Sequence, residues 1–163
     1  MYRSNPQENA FVVSAVNGVV VAYRLDDGSV AWMFQAPEGT IPFASPNELR
    51  VRGNQVFVTV PRVHAKHAFA SADTNATVHV SCLDYATGGL IWKRDIRERV
   101  GIARVQITLL VEGGRVLVAH NGALFAFAVE TGEPAWSVIV GGAVRRSHDQ
   151  PTPLAGPSSA RGD

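Results

Sequence analysis

An all-β fold assembled from repeats is what this sequence predicts, and three observations predict it. A pattern of apolar run, tight turn and second apolar segment ending in tryptophan occurs three times, at Gly18 to Trp32, Val78 to Trp92 and Gly122 to Trp136. In each copy a glycine stands four residues before the tryptophan: Gly28 before Trp32, Gly88 before Trp92, Gly132 before Trp136. The spacing is regular too, with 44 residues from Trp92 to Trp136 and 60 from Trp32 to Trp92, where the longer interval holds an insertion. Units of about 40 to 50 residues with four strands each have the period of β-propeller blades, and no helical periodicity competes over any long window.

Taken in order, Phe11 to Val16 and Val19 to Leu25 are β-branched runs joined by Asn17-Gly18, a dipeptide suited to a type I′ hairpin, and Val30 to Gln35 is the third strand. Ala36 to Gly39 and the proline-rich Ile41 to Pro46 read as a connection between units. The second unit runs through Glu48 to Val51, a turn at Gly53-Asn54, and Gln55 to Val60, with Pro61 expected to end that strand. Arg62 to Ala76 reads as an inserted surface loop or short helix, after which Thr77 to Leu83, a Thr-Gly turn and Leu90 to Arg94 resume the pattern. The third unit is the most regular: Arg104 to Val111, Arg115 to Ala119, Ala123 to Val129 and Ala135 to Val140, separated by glycine-bearing turns. The expected organisation is a flexible N-terminus over 1–9, blades over about 10–36, 41–97 and 102–142, and a disordered tail over 143–163, rich in Pro, Ser and Gly.

Composition narrows the function classes. Across 163 residues, 46% are hydrophobic and 18% charged, enough apolar material for a core. A net charge of +1 gives no field to attract nucleic acid, and Arg94, Arg97, Arg99 and Arg104 are interrupted by Asp95 and Glu98. No run approaches the roughly 20 apolar residues of a transmembrane helix, so no membrane insertion is expected. The polar N-terminus carries no signal-peptide pattern, which reads as cytoplasmic for the chain as written and periplasmic if that terminus is incomplete. The single cysteine, Cys82, excludes an intrachain disulfide and reads as a small buried residue.

The three stretches resemble the repeat of the pyrroloquinoline-quinone-type (PQQ-like) β-propeller family, which runs roughly Gly-x-Leu-Tyr-Ala-Leu-Asp-Ala-x-Thr-Gly-Lys-x-Leu-Trp. The match extends over about residues 10 to 142. It departs at Asp27, where the other copies have Thr87 and Thr131, and only Asp84 keeps the family's aspartate eight before tryptophan. The resemblance implies that the tryptophans dock one blade onto the next, and the expected structural docking residues are Gly28, Trp32, Thr87, Gly88, Trp92, Thr131, Gly132 and Trp136. Physically, Thr or Asp bonds backbone within the turn, Gly supplies positive φ, and the indole fills the wedge between blades. About eleven strands amount to nearly three blades, the first lacking its innermost strand. The fold expected is thus a partial β-propeller whose open ends call for self-association or a larger propeller.

Quinone-dependent dehydrogenases of this family hold their cofactor with a stacked aromatic, a calcium site, a catalytic aspartate and often a vicinal disulfide. This sequence has no Cys-Cys pair and no acidic cluster for calcium, so neither cofactor nor metal is assigned and no residue is given a catalytic role. His64 and His67 would share a helix face and could bind zinc with further ligands, against the plainer reading of a solvated loop, while His79 and His120 read as structural. Nucleotide-binding loops and hydrolase elbows are absent. By resemblance to non-catalytic members of the family, the expected function is a protein-interaction scaffold. The alternatives are a fragment of a quinoprotein dehydrogenase and a detached sensor or regulatory domain.

Overall fold

The computed structural model describes residues 10–16, 19–36, 48–64, 75–99, 107–120, 122–139 and 145–146. Every described element is a strand, and they form three antiparallel sheets. Sheet A holds β1 (Phe11–Val16), β2 (Val19–Arg24) and β3 (Val30–Gln35) in sequential order. Sheet B holds β4 (Glu48–Arg52), β5 (Gln55–His64), β6 (Asn75–Asp84) and β7 (Leu90–Arg99). Sheet C holds β8 (Ile107–Glu112), β9 (Arg115–His120), β10 (Ala123–Ala128) and β11 (Pro134–Ile139), with the two-residue β12 (Arg145–Arg146) pairing at its outer edge. The predicted partial propeller of antiparallel meanders is therefore the observed architecture. The segments read as a flexible N-terminus, a proline-rich connection and, apart from β12, a disordered tail lie outside the described residues.

Short glycine turns set the registers. Arg52 pairs with Gln55 around Gly53-Asn54, and Glu112 pairs with Arg115 around Gly113-Gly114, whose φ values of 55° and 72° fit a type I′ turn. Two corrections concern the second unit. Pro61 does not end its strand: β5 continues to His64, paired with β6 as far as Asn75. In an antiparallel strand alternate residues bond to opposite neighbours, and the Tyr85 N–H to Asn54 carbonyl bond fixes the even-numbered residues of β5 as those bonding β6. Pro61 thus turns its nitrogen toward the β4 side, beyond the last β4 pair at Glu48 and Thr59, so its missing N–H costs the ladder nothing. The expected insertion at Arg62 to Ala76 is accordingly shorter, since 62–64 and 75–76 are strand and only 65–74 lie outside the described residues.

Two cores hold the sheets face to face. Between A and B lie Val20, Ala22, Trp32, Val56, Val58, Val60, Leu83 and Tyr85. Between B and C lie Phe57, Val78, Val80, Trp92, Leu109, Val116, Val118 and Phe127, with the Phe57 and Trp92 rings tilted at a centroid distance of 6.1 Å. The middle strands of sheet B, β5 and β6, are buried on both faces, which explains why residues 56–60 and 78–83 hold no charged residue but the His79 position, whereas β8 alternates buried and exposed residues. Phe57 is a fully buried side chain of that core. Its replacement by alanine is expected to lower unfolding free energy by about 3–5 kcal/mol, read as a shift of the urea midpoint.

On the long ribbon of β6 and β7, His79 lies directly opposite Asp95, with Nδ1 2.7 Å from the carboxylate Oδ1. Burial raises the Asp95 pKa, but the His79 hydrogen bond, the His79 charge when protonated, Lys93 and Arg97 together outweigh it and hold the carboxyl below its ordinary value. A carboxylate lowered on folding contributes stability above its unfolded pKa, about 4, and loses it as pH falls through the folded value. Asp95→Asn is therefore expected to flatten the acid limb of a stability-versus-pH curve measured by denaturant titration below about pH 4.

Candidate functional site: the joints between sheets

Each tryptophan-bearing hairpin closes with the same turn. The N–H of Gly28, Gly88 and Gly132 donates to the carbonyl four residues earlier, at Arg24, Asp84 and Ala128, over 2.9, 2.8 and 2.8 Å. Those same three residues donate their N–H to Ser29, Gly89 and Glu133, each at 2.8 Å. The glycines have φ of 71°, 72° and 66°, a left-handed conformation that a side chain would strain. The side chain before the glycine braces the turn: Thr87 Oγ1 and Thr131 Oγ1 each accept from the N–H two residues on at 3.2 Å. Asp27 makes the same bond through Oδ1 from Ser29 N–H at 2.8 Å, so the departure from threonine preserves the chemistry. The hydrogen bonds from Ser29 also hold the Asp27 carboxyl below the usual carboxylate range.

A β-bulge follows each turn. Ala22 faces Trp32 while Tyr23 faces Val30, leaving Ala31 as an extra residue, and Ile91 and Ala135 occupy the corresponding positions. Simple alternation would set tryptophan on the same face as the residue two before it. The bulge turns the indole to the other face, toward the next sheet. Across the ladder each tryptophan meets a small residue, Ala22, Cys82 or Ala126, which leaves room for the ring. Cys82 is fully buried there, and burial, aided by the charges of Glu130 and Asp84, pushes its thiol up to about 12, so it acts as a neutral small side chain.

At the A–B joint Trp32 lies over Gly88: a Cβ on that glycine would stand 2.5 Å from the ring, and Trp32 Nε1 donates to the Tyr85 carbonyl at 2.9 Å. The B–C joint repeats this. A Cβ on Gly132 would stand 2.5 Å from Trp92, whose Nε1 donates to the Val129 carbonyl at 2.8 Å. Each joint has an addition of its own. Tyr85 Oη accepts from Phe11 N–H and donates to the Phe11 carbonyl, both at 3.0 Å, while Arg94 donates through Nε to the Gly132 carbonyl at 2.8 Å and through Nη2 to that of Thr131 at 3.0 Å. Gly28 and Trp136 are placed differently: among the described residues nothing lies within 4 Å of a Cβ on Gly28, and Trp136 is half-buried on the outer face of sheet C.

Asp84 sits in the turn, where Oδ1 accepts from Ala86 N–H, Thr87 N–H and Thr87 Oγ1 and Oδ2 accepts from Asn54 Nδ2. Both of its oxygens are thus engaged in local structure. Of the suggested zinc pair, His64 lies in β5 and His67 outside the described residues, and no group of three or more metal-ligating side chains forms among those described. The sequence reading missed Arg94, Tyr85 and the small residue ten positions before each tryptophan, although that last regularity is visible in the sequence.

The geometry separates three chemically identical substitutions. Gly88→Ala and Gly132→Ala add both left-handed strain and a clash with an indole, together costing about 2–4 kcal/mol, whereas Gly28→Ala meets only the strain, about 1–2 kcal/mol. Parallel thermal and urea melts of the three variants check this order.

Comparisons with known proteins give three results. No curated protein matches. Among solved structures, the chain is similar to BamB from Moraxella catarrhalis at 17% identity and a TM-score of 0.29, over 80% of this chain and 50% of that one, so it spans about half the length of that relative. The family model described as outer membrane protein assembly factor BamB matches residues 59–160. With well over half of the chain under that match, and with three sheets built on one Gly–Trp repeat, this protein belongs to the PQQ-like β-propeller family of BamB.

Proposed function

We infer that the chain is a non-enzymatic propeller module that binds protein, with its tryptophans docking each blade on the next and its outermost blade faces available to a partner. The observation that carries this reading is the contrast among equivalent positions. Tyr85 and Val129, whose carbonyls receive an indole N–H, are 7% and 8% exposed, while Leu25, at the same place in the first turn, is 54% exposed. A turn of the same geometry is thus formed and left uncovered among the described residues. The apolar residues around it supply the desolvated area that protein partners use. The family's name, which concerns outer membrane protein assembly, agrees with a binding role.

The rival reading, a piece of a quinoprotein dehydrogenase, asks for a carboxylate free to meet cofactor or calcium, and Asp84 spends its oxygens within its own turn. Two measurements test the proposal. Photo-crosslinking side chains placed at the exposed Met33 and Leu110 are expected to yield a covalent adduct with another polypeptide. Titration with pyrroloquinoline quinone and calcium is expected to leave the spectrum additive. Quinone absorbance shifted by the protein, together with dye-linked alcohol oxidation, would overturn the reading.

A further inference from the structure

Among the described residues, sheet A has no strand inside β1, whereas β4 and β8 stand inside β5 and β9. Register aligns Phe11, which pairs with Arg24, with Gln55 and Arg115, which pair with Asp84 and Ala128 at the same place in their turns. Gln55 and Arg115 also pair with an inner strand, at Arg52 and Glu112. Alternate residues of a strand bond to opposite neighbours, and the Leu25 N–H to Ala10 carbonyl bond assigns Ala10 and the even-numbered residues of β1 to β2. Phe11 therefore turns its N–H and carbonyl inward. Both are taken: Tyr85 Oη accepts from the N–H and donates to the carbonyl, each at 3.0 Å.

We propose that Tyr85 is an edge cap: its hydroxyl fills the place of an inner strand at Phe11 and closes that edge of sheet A to any strand laid in the register of β4 and β8. A hydroxyl carries one donor and acceptor lone pairs, so it can answer both backbone groups of one residue as a paired strand residue does. Leu25 and Val129, at the equivalent places in sheets A and C, have no hydroxyl, and the turn that carries the tyrosine is the one packed on β1. The ring is buried and lies tilted on that of Phe11 at a centroid distance of 5.4 Å, which holds the hydroxyl on the edge. An open edge is a template for unwanted strands, and covering it is one way of blunting it. A backbone N–H has one proton to give, so a strand added here must displace Tyr85 or begin its pairing beyond Phe11. The inference is independent of the binding role assigned above, which concerns the faces of the sheets.

Tyr85→Phe tests this, because it removes the hydroxyl and keeps the ring. The Trp32 Nε1 bond to the residue 85 carbonyl is a backbone contact and is retained. Amide hydrogen exchange, read residue by residue by NMR on the 163-residue chain, is expected to show the Phe11 N–H protected in the parent. In the variant it is expected to exchange about tenfold faster, the effect of one lost hydrogen bond. Val12 and Ser14, which bond β2, and the Trp32 indole N–H are expected to keep their parent rates, which separates an edge cap from a brace of the whole joint. The parent alone gives a second reading: a Tyr85 hydroxyl proton slow enough to observe, with a nuclear Overhauser contact to the Phe11 amide. A freely exchanging hydroxyl or an unprotected Phe11 amide in the parent would overturn the proposal. So would a Phe11 amide equally slow in Tyr85→Phe, because another group then holds it. Acceleration shared by the Trp32 indole N–H would overturn it as well, since the hydroxyl then holds the joint between sheets A and B and not the edge.

Discussion

Seating an indole on a glycine that has no Cβ is the contact on which this structure depends. Sheets alone could slide over one another, because apolar faces attract without direction. The Nε1–H to carbonyl bonds of Trp32 and Trp92 add direction and lie in buried surroundings, where leaving that donor unpaired would be costly. The ring's close approach to Gly88 and Gly132 allows no side chain at those positions. Turn, bulge and indole thus form one device, in which the turn presents the glycine and carbonyl and the bulge aims the tryptophan of the preceding sheet at them.

Much of this was legible in the sequence because the device is local. Gly28, Gly88 and Gly132 mark turns at a fixed distance from tryptophan, and Asn-Gly, Gly-Asn and Gly-Gly pairs mark the other hairpins, so strands β1 and β3 could be bounded to the residue. What escaped depends on partners distant in sequence. Pro61 looked like a strand end because its tolerance depends on which neighbour its nitrogen faces, a matter of register with β4 and β6. The pairing of Arg94 with the carbonyls of Gly132 and Thr131 spans a sheet boundary, as does that of Tyr85 with Phe11. The bulges were hidden for another reason: Ala31, Ile91 and Ala135 share no side-chain signature, and only the small residue across from each tryptophan betrays them.

The same distinction applies to the candidate site. That glycine recurs four residues before tryptophan was readable as a pattern, but that an indole lies against the glycine of another sheet was not. The spacing is counted within one hairpin, whereas the contact crosses between sheets: Gly88 takes Trp32 and Gly132 takes Trp92. Asp27 illustrates the reverse case, a departure from the family pattern that changes the residue and keeps the hydrogen bond. Chemistry at that position asks for a short side chain with an acceptor oxygen, and either residue type supplies it.

Because every repeat carries a glycine turn at one face and an indole at the other, the stack has a polarity, as a row of hooks and eyes does. Such an arrangement can lengthen by duplication of a single unit without disturbing any joint already present: the inserted repeat receives from its predecessor and gives to its successor. The number of units is then free to change over descent while the local contact stays fixed. In this fold the length of a chain and the chemistry that holds it together are separate inheritances.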